Sequence, residues 1–263
     1  MRFSEVIASL ERRDGSWVTV VPDDWMQGRS VFGGLQAALA VRALRSLVPA
    51  DMPLRALQTT FVGPVGGTIR VAAQILRTGK NVVHAEARIV SGDQTSTLVV
   101  GVFGRGRPSR AVVVPEVAAT PRRLAEPLAL QFIPGLSASF IQHYKVRLLA
   151  GDLPFTSVRQ APHAHIEIDV DDPGNATEEQ VVGIADVIYP LALSMLDERA
   201  PGSSVTWMLE LLLDHWSALP LSGWNAHAEM VAGRDGYTNQ SVTLTAPGGA
   251  PAALSRQLMM IFG

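Results

Sequence analysis

The chain of 263 residues contains no cysteine. That excludes disulfides, thiolate nucleophiles and zinc–thiolate sites, and it is compatible with a reducing compartment. Long hydrophobic runs are missing too: no stretch reaches the roughly 18 apolar residues needed to cross a bilayer. The N-terminus, Met1-Arg2-Phe3-Ser4-Glu5, lacks the basic-then-apolar layout of a secretory leader. The expectation is a cytoplasmic protein without membrane insertion. Charge of either sign is sparse, with 22 Lys and Arg against 24 Asp and Glu and a formal net charge of −2. With no long basic block there is no electrostatic footprint for a nucleic-acid backbone, so an anionic ligand needs a local cationic patch.

Signature motifs of several chemistries are absent as well. No Gly-x-Ser-x-Gly elbow presents a serine nucleophile. His163 and His165 share one face of a strand-like run, but no helical His-Glu-x-x-His accompanies them, so both read as solvent-facing strand residues and no metal is expected. Gly104-Arg105-Gly106 is followed at once by Pro108 and opens no phosphate-binding helix, so no nucleotide or flavin cofactor is expected.

What the chain does contain is a layout that occurs twice, offset by roughly 150 positions, which indicates a duplicated domain and not a solenoid. In the first half a β-rich run (17–22) leads to an apolar helix opened by Gly33-Gly34. Four strand-like runs follow at 54–62, 68–77, 81–90 and 95–103, separated by Gly63-Pro64, Gly79 and Gly92-Asp93. The second half offers an alternating strand at 164–170, a helical run at 190–196, and strands at 205–213, 224–232, 238–245 and 252–262. A long apolar helix and a curved meander bury best when the sheet wraps the helix, and two such copies can join edge to edge. The fold class is therefore α+β: a double hot-dog, with units at 1–104 and 145–263. The connection at 105–144 carries Pro108, Pro115, Pro121, Pro127 and Pro134, too many for an uninterrupted helix or a central strand, and reads as a surface crossover. Such a chain already contains the paired sheet that single units make by dimerising, and a further homodimer is compatible with it. A composition that is 47% hydrophobic and 17% charged suits a large core.

The run Arg29-Ser30-Val31-Phe32-Gly33-Gly34, the strand at 54–64 and the repeated plan resemble the type II acyl-CoA thioesterases. The resemblance covers nearly the whole chain and is clearest over 28–104. It implies a double hot-dog enzyme that hydrolyses a fatty or related acyl-CoA thioester, with a catalytic Asp, Thr and Gln from the second unit. These fall on Asp186, Thr206 and Gln257.

Asp186 is a carboxylate in an otherwise apolar segment, where a charge needs a partner or a purpose. Pro190 places it just before the expected helix or in its first turn, where a cap is the alternative role. Thr206 opens a strand whose period of two puts Thr206, Glu210 and Asp214 on one face. Gln257 is an amide inside an apolar terminal strand. Setting the halves in register places about Gly34, Leu54 and Leu98 or Val99 opposite Asp186, Thr206 and Gln257, so the polar set exists in one copy only. Chemically, Asp186 can accept a proton from a water whose orientation Thr206 and Gln257 fix. That water attacks the thioester carbonyl, and Gly33 or Gly34 can supply an oxyanion donor, with tight packing as their alternative role. Arg105 and Arg107, with Arg110, Arg122 and Arg123 nearby, could hold CoA phosphates, or else simply solvate a linker.

Two rival functions stand beside this one. A hot-dog hydratase or dehydratase on a similar thioester usually brings an active-site His, and none lies near Asp186 in sequence. A non-catalytic acyl-CoA binding protein would be favoured if Glu210 lay beside the site, since a second carboxylate there repels an anionic substrate.

Overall fold

The structure, a computed structural model, describes residues 1–92, 94–115 and 123–262. Asp93, Pro121, Arg122, Gly263 and the side chain of Arg123 lie outside the described residues. Helix α1 (Phe3–Ala8) precedes β1 (Glu11–Arg13), β2 (Ser16–Val21) and the short ribbon of β3 (Met26–Gln27) and β4 (Ser30–Val31). Helix α2 (Gly33–Arg45) is followed by β5 (Leu54–Phe61), β6 (Gly67–Thr78), β7 (Val82–Ser91) and β8 (Gln94–Gly104). Then come β9 (Arg123–Leu130), β10 (Tyr144–Gly151), β11 (His163–Val170) and helix α3 (Glu178–Ile184). The chain ends with β12 (Gly202–Leu211), β13 (Trp224–Arg234), β14 (Tyr237–Thr245) and β15 (Pro251–Ile261). No helix among the described residues is long and apolar enough to cross a membrane.

Apart from the β3–β4 ribbon, all these strands join one antiparallel sheet in the order β1-β2-β6-β7-β8-β5-β12-β15-β14-β13-β11-β10-β9. Its centre is the seam between β5 and β12, where Thr60 faces Thr206 and Thr59 faces Trp207. Helix α2 is apolar on nearly every side, and all but Arg42 and Arg45 of its residues are buried, as a helix enclosed by other elements requires. Its last turn carries Arg42 and Arg45, which suit the negative end of the helix dipole. Arg45 there grips Glu178 of α3 and lies over the Phe103 ring, 4.7 Å from its centroid.

Three bulges recur at matching places in the two halves. The extra residues are Arg55 in β5 and Val205 in β12, Leu76 in β6 and Val231 in β13, and Ser96 in β8 and Ala252 in β15. Matched on these bulges, Ala56 stands opposite Thr206 and Gly101 opposite Gln257, a register two to three residues away from the one read in the sequence. A Cβ on Gly101 would come within 2.9 Å of Phe103 and 3.0 Å of Leu44, so the counterpart of the Gln257 position is packed shut.

Three sequence expectations are revised. The helix expected at 190–196 is only a 3-10 turn, Leu191–Met195, whereas the α-helix lies earlier, at α3. A Thr177–Gln180 capping box starts it. The Pro-rich connection contains β9, which tolerates Pro127 because it is an edge strand. His165 is buried, with its ring stacked on His227 at 3.8 Å and its Nε2 bonded to Asn225, so it does not face solvent.

Candidate active site

A cleft of about 740 Å³ opens at the N-terminal end of α2. The β3–β4 turn, the end of β5, the segment from Asp186 to Pro190, the start of β12 and the end of β15 wall it.

Asp186 follows the end of α3, whose C-cap is Ala185; it does not open a helix of its own. It faces the first turn of a different helix, α2. Its carboxylate accepts a hydrogen bond from Gln257 Nε2 and one from the Gly34 backbone N–H. The approach needs glycine: a Cβ on Gly33 would lie 2.7 Å from Asp186 Oδ2 and 3.0 Å from Phe61. Gly34 likewise faces the Gly183 carbonyl, 2.9 Å from where its Cβ would stand. The glycine pair thus lets α2 bring its unpaired N–H groups and positive end against the carboxylate.

Burial raises the Asp186 pKa to about 7, while the hydrogen bonds from Gln257 and Gly34 act in the opposite sense. A carboxyl poised there can take a proton near neutral pH, which a general base must do. Tyr144, also fully buried, has its phenol pushed far upward by burial first and by the charges of Asp186 and Asp172 next.

Gln257 is itself buried, and its Oε1 has no hydrogen-bond partner among the described residues. One amide end therefore holds the carboxylate, and the acceptor end is open to a further donor. Of the two first-turn donors, Gly34 is committed to Asp186, whereas the Gly33 N–H has no partner among the described residues.

Thr206 is not brought to this constellation. The buried residues of β12 are Trp207, Leu209 and Leu211, and Thr206 and Glu210 project from the opposite, exposed face beside Thr60 and Ala56. The alternation from Thr206 holds, with Thr206 and Glu210 sharing a face as expected, but that face is the outer one. Glu210 therefore stands away from the cleft, and Asp214, beyond the end of β12, pairs with Arg55. The hydroxyls at the cleft are instead those of Ser30, Ser203 and Ser204. Thr59, inward on β5 and buried, has a hydroxyl with no partner among the described residues.

Arg105 is also elsewhere. It pairs with Asp51 and donates to the Lys80 carbonyl, beyond the C-terminal end of α2 and about 20 Å of helix from the cleft. Arg107 and Arg110 are exposed and outside the cleft lining, and Arg122 and the side chain of Arg123 lie outside the described residues.

The sequence reading did not single out Gln36. Buried in the first turn of α2, it donates to the Ser30 hydroxyl (3.2 Å) and the Val31 carbonyl (2.5 Å) and accepts from Thr97 (2.5 Å). The Ser30 hydroxyl also accepts from the Val65 N–H at 3.1 Å. A buried glutamine on an otherwise apolar helix was the available signal.

No set of three or more His, Cys, Asp or Glu side chains among the described residues is arranged to hold a metal ion.

A hot-dog protein of unknown function from Alicyclobacillus acidocaldarius is 21% identical and superposes with a TM-score of 0.86, over 99% of this chain and 98% of that one. An acyl-CoA thioesterase II from Mycobacterium marinum is 13% identical, with a TM-score of 0.73 over 98% of both chains. The dehydratase domain of RzxB from Pseudomonas fluorescens, 14% identical, gives 0.59 over 97% of this chain and 98% of that one. These likenesses establish the hot-dog fold, which alone does not select the reaction. A search of curated protein sequences gave no match. The family models are more specific: residues 21–105 match the acyl-CoA thioesterase N-terminal domain, and residues 115–261 match the acyl-CoA thioesterase C-terminal domain. Together they span most of the molecule, and the chain belongs to the acyl-CoA thioesterase family.

Proposed function

We propose that the protein is a cytoplasmic enzyme that hydrolyses acyl-CoA thioesters, using a water activated by Asp186. The observation that carries this reading is a buried carboxyl with a pKa of about 7 at the wall of the cleft, held by Gln257 and by the first turn of α2. Asp186 takes the proton of the attacking water, and Gln257 fixes the carboxylate through its Nε2. The Gly33 N–H is the donor left for the oxyanion that forms as the carbonyl becomes tetrahedral. Thr206 has no part in the set, because it projects from the other face of β12. No histidine lines the cleft among the described residues, which weighs against a hydratase.

In this reading the molecule is two tandem hot-dog units, 1–104 and 145–263, joined by the connection at 105–144, and no cofactor takes part. The recurring bulges support the duplication, and the closed pocket around Gly101 supports a single working site.

The test is release of free thiol from short, medium and long acyl-CoAs by the protein and by Asp186→Asn. Turnover that the variant lacks supports the reading. An Asp186→Asn protein with unchanged turnover removes the base from the mechanism, and silence of the unaltered protein across the panel removes the hydrolase.

A further inference from the structure

Among the described residues that line the cleft, only two carry a charged group: Asp186 in its wall and Arg29 in the β3–β4 turn. Arg29 is exposed and makes no ion pair or hydrogen bond among the described residues. Its backbone is nevertheless held in place. Gly28 adopts φ +63 in the turn, and the next residue, Ser30, is locked by Gln36 and by the Val65 N–H. A cation free at its tip and anchored at its base is suited to meet an incoming anion, and a guanidinium can grip a phosphate through two parallel hydrogen bonds. No carboxylate other than Asp186 lines the cleft to compete for it. Arg105, the other cation considered for this task, is already engaged by Asp51 at the far end of α2.

We propose that Arg29 is the phosphate contact of the cleft: it holds a phosphate of the thiol carrier while the acyl thioester reaches Asp186. This deepens the thioesterase reading and rests on it for the identity of the substrate. The shared chemistry is a phosphate ester on a pantetheine arm, which free CoA and an acyl carrier protein both present.

The test compares Arg29→Glu, Arg29→Ala and Arg29→Lys on three thioesters of one acid: the CoA ester, the carrier-protein ester and the N-acetylcysteamine ester, which has no phosphate. The charge reversal is expected to raise KM for the CoA ester about tenfold, Ala less and Lys least, with kcat within about twofold and the N-acetylcysteamine ester unaffected. An effect confined to the carrier-protein ester keeps the contact and assigns its source to the protein-borne arm. Equal effects on all three esters, or none, overturn the proposal. If the unaltered protein hydrolyses nothing, the thioesterase reading fails separately, and calorimetric binding of free CoA decides the role of Arg29. Weaker binding by Arg29→Glu supports it, and equal affinity or no binding by either protein overturns it.

Discussion

Gln257 donates its side-chain amide to the Asp186 carboxylate, joining the terminal strand of the sheet to the segment after α3 across 71 residues of chain. Because that bond favours the charged carboxyl, it opposes the upward pull of burial on the Asp186 pKa.

The rate should therefore rise with pH through an inflection near the Asp186 pKa of about 7. In Gln257→Ala the carboxylate loses its donor, so the inflection moves to higher pH and kcat at neutral pH falls by roughly 10²-fold. A kcat/KM profile whose inflection stays put in the variant would show that the bond does not tune the base.

Stability carries the same signature. The Asp186 pKa is raised from 3.8 to about 7, so the fold prefers the neutral acid. The stability this confers is fully present below about pH 4 and is lost as pH rises through 7. Asp186→Asn has no such loss and should exceed the unaltered protein at pH 8 by on the order of 2–4 kcal/mol, with the difference vanishing near pH 4. Urea unfolding at both pH values checks this, and a constant difference between the proteins would contradict it.

Thr206→Val should leave turnover within about twofold, since a side chain on the outer face touches nothing in the cleft. A loss of 10²-fold or more in thiol release would mean that the outer face takes part after all.

Gly33→Ala places a methyl against Asp186 Oδ2 and Phe61. Turnover should drop by roughly 10²–10³-fold as the helix end is pushed from the carboxylate, with a stability cost of about 1–3 kcal/mol. Near-normal kcat in a folded Gly33→Ala protein, judged by circular dichroism, would dismiss the close approach as a requirement.

Much of this was legible in the sequence because it was local. Periodicity and turn residues marked β2, β5 to β8 and β11 to β15, though not β1, β9 or β10, and the apolar run after Gly33-Gly34 marked α2. Asp186 and Gln257 stood out as polar groups in apolar stretches, which is how a buried functional group must look in one dimension. Period two put Thr206 and Glu210 on one face of β12, as the structure has them, but alternation alone does not say which of two faces meets the core, and here it is the one carrying Trp207, Leu209 and Leu211. The Arg105–Asp51 pair was hidden for a different reason: its partners are 54 positions apart, and only the fold brings them together. Gln36 was not legible as a structural tie because its partner Thr97 stands 61 positions away and only the fold brings them together.

The seam between β5 and β12 gives the two halves a mutual obligation. Each strand spends one side's backbone groups on its own half and the other side's on its neighbour, Thr60 against Thr206 and Ala56 against Glu210. Cut the chain between them and each fragment presents a long open strand edge, the feature that drives unwanted pairing and aggregation. The fused chain thus acts as its own chaperone: one half shields the other from the moment both exist, and neither is expected to persist in solution alone.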